Sequence, residues 1–432
     1  MPSNPSQYIG KGLLLPFVMV TSLFALWGFA NAVTDPMVQA FKKVLELSNT
    51  EASWVQMAFY GGYFCMALPA ALFVRKYSYK TGILIGLALY ATGALLFYPA
   101  THFGAFWFFC LALYILTFGL AFLETTANPY ILSMGPKATA TQRLNLAQSF
   151  NPLGLLLGLW VAQNIVLERL QSDDIQDYQF LETSQKLAIK SADLMTISDP
   201  YVGLGLLVLF LFLLFSLLKM PRLQTVETTA LKSVALGLMK NKKFTLGVLG
   251  QMFYVGAQIM CWTYIYLYAE ALNIDNVEAA NYQFIALILF LVGRWLSTFL
   301  LRFISPPKLL LMFSGLAILC SLLTIGMYSI EGLYALVGLS FCMSLMFPTI
   351  YGIALESLSA EATKIGAALL VMAIVGGALL PTLQAQIIDW GGSGVDDLVL
   401  MGVPEVNLSF VLPLGCFIYI ASYAYIVQKR NP

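Results

Sequence analysis

Apolar windows of about 20 residues, the length that crosses the hydrocarbon core of a bilayer, recur along the whole 432-residue chain. Hydrophobic residues make up 59% of the sequence and charged residues only 10%, so water-soluble domains could not hide the apolar surface. Windows set against polar breaks predict twelve helices, over about 13 to 41, 52 to 74, 80 to 100, 104 to 134, 141 to 167, 200 to 219, 243 to 271, 279 to 303, 307 to 328, 332 to 355, 363 to 389 and 407 to 428. The chain reads as an all-α polytopic membrane protein with twelve transmembrane helices. Its mostly polar leader, with Lys11, feeds an apolar segment far longer than a signal h-region, so the first helix is expected to stay.

The breaks differ in sign. One face, shared by both termini, collects seventeen of the 23 basic residues, among them Arg75, Lys76, Lys137, Arg143 and Lys364, with Glu227, Glu356 and Glu361 as its only acids. The other face holds five basic residues and seventeen acids. The positive-inside rule therefore puts both termini in the cytoplasm and requires an even number of spans. The long acidic break between spans five and six is amphipathic rather than membrane-like and is expected to form short surface helices.

Several function classes drop out. A net charge of +1 gives no footprint for nucleic acid. The six cysteines, Cys65, Cys110, Cys261, Cys320, Cys342 and Cys416, fall inside apolar windows without metal-ligand spacing, and read as packing residues. The single histidine, His102, lies in a short polar break as a solvated turn residue. With no His-based nucleophile, metal set or cofactor motif, an enzyme is not expected.

A basic break divides the chain into six-span halves, residues 1–219 and 243–432, joined by a linker at 220–242. Weak internal similarity suggests duplication. Spans two and eight end in the basic turns RKYSYK and RFISPPK, spans four and ten carry ANPYI and FPTIY, and glycine-rich helices follow in SFNPLGLLLG and AIVGGALLP. Two such bundles outline a major facilitator fold, in which substrate binds between the halves near the bilayer midplane.

Three ionisable residues remain inside predicted spans: Asp35, Glu124 and Arg294. A charge at a helix centre costs about 2.5–3.5 kcal/mol on insertion scales, so such residues mark ion or substrate paths by default. Glu124 in LETTANPYI has Asn128 one turn on, and Pro129 removes a backbone donor and is expected to bend the helix. Low-dielectric surroundings favour the protonated form of a carboxylate, which suits proton exchange. Asp35 in WGFANAVTDP has Asn31 one turn before it and Pro36 after it. A solvated helix end is the competing reading for Asp35, and an interhelical anchor for Glu124. Arg294, in FLVGRWLSTFLLRF, is expected to snorkel toward the basic face or to pair with the C-terminal carbonyls of a neighbouring helix.

Two polar stripes complete the reading. Asn145, Gln148 and Asn151 recur at threes in span five, ahead of Gly154 and Gly158, and Gln251, Tyr254, Gln258 and Trp262 line one side of span seven. Amides match the mixed donors and acceptors of a sugar, while an indole covers its apolar face. The alternative is that amides and the GxxxG pair serve helix association.

The segments WGFANAVTD, FYGGYF, GLAFLETTANPYI, RLNLAQSFNPLG, QMFYVGAQIMCWTY, VGRW, MSLMFPTIYGIAL and VMAIVGG together resemble the L-fucose/proton symporters of the major facilitator superfamily. The resemblance implies uptake of L-fucose or a related sugar, driven by protons through alternating access, with no cofactor or metal. It implies proton coupling at Asp35 and Glu124, and cavity positions at Asn128, Gln148, Asn151 and Gln258. The residues themselves add Asn31, Tyr254 and Trp262 to the candidate sugar site. Two positions depart from the pattern: Leu267 stands where an arginine is expected, as a surface change, and Ala378 where a third glycine is expected. The partners are then sugar, proton and lipid bilayer, for a monomer. The rival readings are a proton- or sodium-coupled glucose/galactose carrier and a non-transporting membrane sugar sensor.

Overall fold

The structure is a computed structural model that describes residues 8–10, 12–45, 47, 49–171, 182–221, 231–274, 276–390, 399–400 and 402–430. Among these residues, twelve helices are long and apolar enough to cross a membrane. In order they are Leu14–Val44, Asn49–Lys76, Tyr79–Phe103, Phe106–Ser133, Lys137–Arg169, Thr183–Leu217, Lys242–Ala271, Asn276–Leu300, Pro306–Gly326, Ile330–Leu355, Ala360–Ile388 and Glu405–Lys429, called spans one to twelve below. A two-stranded hairpin, Val399–Leu400 with Val403–Pro404, precedes span twelve.

The helices form two six-helix bundles. In the first, span three packs on spans four and six, span two on four, and span one on five; in the second, span nine packs on ten and twelve, and span seven on eleven and twelve. Leucine and aromatic side chains such as Leu206, Phe210, Leu213, Leu319 and Leu322 point outward, as helices surrounded by lipid require. Trp54, Trp107, Trp160 and Trp390, all exposed, lie near span ends on the acid-rich face, where an indole suits the membrane–water boundary.

Glycines set the closest approach in the first bundle. A Cβ on Gly154 would fall 1.9 Å from the Ala25 carbonyl oxygen, and one on Gly28 would fall 2.0 Å from that of Asn151. The GxxxG of span five is thus a packing surface for span one, and it brings Asn151 against the Phe24 carbonyl.

Span four is one continuous helix, Phe106–Ser133, with Pro129 inside it. Interruptions fall in spans three (Leu96), five (Ser149–Phe150), seven (Tyr264), ten (Ser344–Leu345) and eleven (a 3₁₀ turn, Ala373–Val375). Part of the acidic break before span six is not a set of short surface helices but a continuous extension of that span to Thr183. Glu182 and Gln185 form a capping box at its start, Leu194 and Ile197 are buried, and Tyr201 stacks on Phe97 with ring centroids 3.9 Å apart. An amphipathic stripe that continues the periodicity of a span lengthens it rather than folding separately.

Candidate functional site

A cavity of about 800 Å³ lies between the bundles. Its deep end carries Glu124, Gln148, Arg294 and Phe347; Gln163, Leu167, Tyr266 and Leu267, toward the acid-rich ends of spans five and seven, line the other. On the basic side the bundles close on each other. A Cβ on Gly352 of span ten would fall 2.6 Å from Thr141 Oγ1 of span five. Asn145 Nδ2 donates to Thr349 Oγ1 at 3.1 Å, and the buried Lys364 ammonium lies 5.8 Å from the Tyr79 ring centroid. The cavity therefore faces the acid-rich side. Arg143 buttresses the closed side by donating to the carbonyls of Ile131, Leu132, Tyr8 and Pro136.

Six of the seven predicted sugar-site residues line this cavity: Asn31, Gln148 and Asn151 from the first bundle, Tyr254, Gln258 and Trp262 from the second. Glu124 joins them, with Tyr63 and Tyr351 as its electrostatic neighbours, and its Oε2 is buried without a hydrogen-bond partner. Asn128 lies outside the lining. It is fully buried, one turn past Glu124, and its Oδ1 accepts from Gln148 Nε2 at 3.0 Å. Span one carries Asp35, whose side chain lies outside the described residues.

The cavity aromatics are held in place. Trp262 Nε1 donates to Ser340 Oγ at 3.0 Å and its ring meets Phe290 edge-on at 5.2 Å, which fixes the indole plane. Tyr254 and Phe347 form a second edge-on pair at 6.1 Å.

Arg294 does not snorkel. It is buried and on the cavity wall, with its guanidinium 5.1 Å from the Phe290 ring centroid. Its Nε donates to the Ser344 carbonyl, which caps the first helical segment of span ten, and Nη1 reaches the Gln148 carbonyl at 3.3 Å. The expected pairing with C-terminal carbonyls is present, while the interfacial position is not. Desolvating the ion costs several kcal/mol, and the planar fork of donors on both bundles offsets that cost better than a single ammonium could. Its sequence signal, a charge within an apolar window, was the same as that of Glu124. Leu267 is likewise no surface residue, since it lines the cavity. At the second departure the close contacts belong to its neighbours: a Cβ on Gly376 would fall 2.2 Å from the Met252 carbonyl oxygen, whereas Ala378 is half-buried.

Two bundles of like orientation around an amide-rich cavity with a carboxylate at its deep end define an alternating-access transporter rather than an enzyme. The family model "Major Facilitator Superfamily" matches residues 17–382. The chain is 50% identical to the L-fucose-proton symporter of Haemophilus influenzae over 98% of its own length and 99% of that protein's. It is 33% identical to a putative glucose/galactose transporter of Helicobacter pylori, covering 95% and 96%. Among solved structures, FucP in the outward conformation superposes with a TM-score of 0.85 at 32% identity, covering 96% of this chain and 99% of that one. The chain belongs to the major facilitator superfamily, in its family of L-fucose/proton symporters and related sugar permeases. It is a multi-pass protein of the bacterial inner membrane.

Proposed function

We propose that the chain imports L-fucose, or a closely related sugar, together with a proton. The observation that carries this reading is the opening of the Glu124 carboxylate onto the same cavity as Asn31, Gln148, Asn151, Gln258 and Trp262. The 50% identity to a protein named as an L-fucose-proton symporter supports the choice of sugar and ion. Both termini lie in the cytoplasm, so the acid-rich mouth is external and sugar enters from there. The halves 1–219 and 243–432, joined by 220–242, rock against each other within one chain, and the monomer is the working unit.

The amides hydrogen-bond the sugar hydroxyls, and Trp262 covers the sugar's apolar face. Asn128 acts from behind by orienting Gln148. Asp35 and Glu124 handle the proton. A charged, unpaired carboxylate resists closure around it, whereas a protonated one with bound sugar permits it, so proton and sugar each favour the other's binding.

The test is uptake into vesicles holding the purified protein, with an imposed pH gradient, with and without sodium, against a panel of 6-deoxyhexoses and hexoses. Proton-driven, sodium-independent uptake, best competed by L-fucose, is expected. Best competition by glucose or galactose would make it a hexose carrier, sodium dependence would remove the proton, and no uptake by protein that binds sugar would leave a sensor.

A further inference from the structure

Beneath the cavity lies a second polar layer. Each bundle supplies two residues, and each lies one helical turn nearer the basic face than a cavity-lining residue of the same span: Asn128 below Glu124, Asn145 below Gln148, Gln251 below Tyr254, and Tyr351 below Phe347. All four are fully buried. Asn145 Oδ1 and both side-chain polar atoms of Gln251 are without a hydrogen-bond partner, and Asn128 Nδ2 and the Tyr351 hydroxyl have only each other across the seam. Tyr351 faces Asn128 and Asn145 bonds Thr349, so the layer straddles the seam between the bundles where they are closed.

Buried amides and hydroxyls left unpaired or only partly paired cost free energy that leucine, methionine or phenylalanine of similar volume would not. Four such residues at one depth, from four spans, are poor packing for a seam that stays shut. They are suited to a seam that opens, because a state with water or sugar hydroxyls at this level satisfies them. We propose that Asn128, Asn145, Gln251 and Tyr351 line the release route on the basic side, and guide the sugar out of the cavity once the bundles have rocked apart. Their unpaired atoms raise the free energy of the seam-closed state relative to the opened one, which eases the transition. This inference rests on the transport reading above and adds the side of the molecule that the cavity does not reach.

The test separates binding from turnover. Gln251→Leu and Tyr351→Phe are compared with the wild-type protein for L-fucose affinity in detergent and for sugar counterflow in vesicles. The affinity of the cavity is expected to stay within about twofold while counterflow falls at least about fivefold. Gln251→Cys, placed in a chain whose six native cysteines are replaced, gives a second readout. Its modification by N-ethylmaleimide is expected to rise severalfold when sugar is added at an imposed pH gradient. Unchanged counterflow in both variants, an affinity that falls in step with counterflow, or labelling indifferent to sugar would each overturn the proposal. If wild-type protein carries no L-fucose, the function reading fails instead.

Discussion

Glu124 illustrates how much one residue can decide. Its carboxylate costs about 2.5–3.5 kcal/mol to place in a spanning helix, and it faces a cavity while leaving one oxygen unpaired. Glu124→Gln keeps the shape and the hydrogen-bonding capacity but cannot exchange a proton, so uphill L-fucose accumulation is expected to fall to the level of facilitated exchange, measured as the ratio of internal to external sugar. The linkage fixes a sign as well: in wild-type protein L-fucose affinity should rise as pH falls, and in Glu124→Gln that dependence should be lost. Ser340 makes a subtler case, since it touches the indole and not the cavity. Ser340→Ala releases Trp262 from its anchor, and the loss of one hydrogen bond of about 1 kcal/mol should weaken sugar binding by roughly fivefold in a titration, with folding intact. Most of the cavity's amides and its carboxylate were legible because such groups stand out in hydrocarbon, whereas its many apolar lining residues do not. Arg294 was misplaced because its length and its distance from a helix end permit snorkelling, and only the approach of Ser344 and Gln148 from other spans shows where it points.

At the level of helices, the breaks matter most. Spans five, seven, ten and eleven are interrupted beside Gln148 and Asn151, Trp262, Phe347 and Ile374, all of them cavity residues. Irregular backbone at membrane depth is tolerated where it is buried in protein or lines a cavity. Pro129, the most visible breaker in the sequence, interrupts nothing: it lies inside the continuous helix of span four. Proline's effect depends on whether neighbouring groups re-satisfy the freed carbonyl, which local sequence does not record. The spans themselves were legible because each needs only a long apolar run. The contact of spans one and five was half legible: GxxxG announced close packing but not its partner. Adding a side chain there should be costly, and Gly154→Val is expected to lower stability by at least about 1–3 kcal/mol, read as an earlier thermal transition in detergent.

Over the whole molecule, the asymmetry between an open acid-rich side and a sealed basic side defines the state observed. Asn145 of span five and Thr349 of span ten meet across that seal. A disulfide between Asn145→Cys and Thr349→Cys should hold the bundles in this arrangement, so that sugar still binds from outside while uptake stops, and reduction with dithiothreitol should restore it. Continued uptake by the fully oxidised pair would show that the seam need not open. The two-bundle outline was legible through the alternating charge of the breaks and the basic linker, whereas the closed seam was not, because it joins residues from opposite halves of the chain. The central claim is that sugar and proton move together. The most direct measurement is the internal pH of lightly buffered vesicles holding the purified protein, with no gradient imposed, when L-fucose is added outside. The account predicts prompt internal acidification that Glu124→Gln does not show. Entry of labelled L-fucose without any change in internal pH would contradict it.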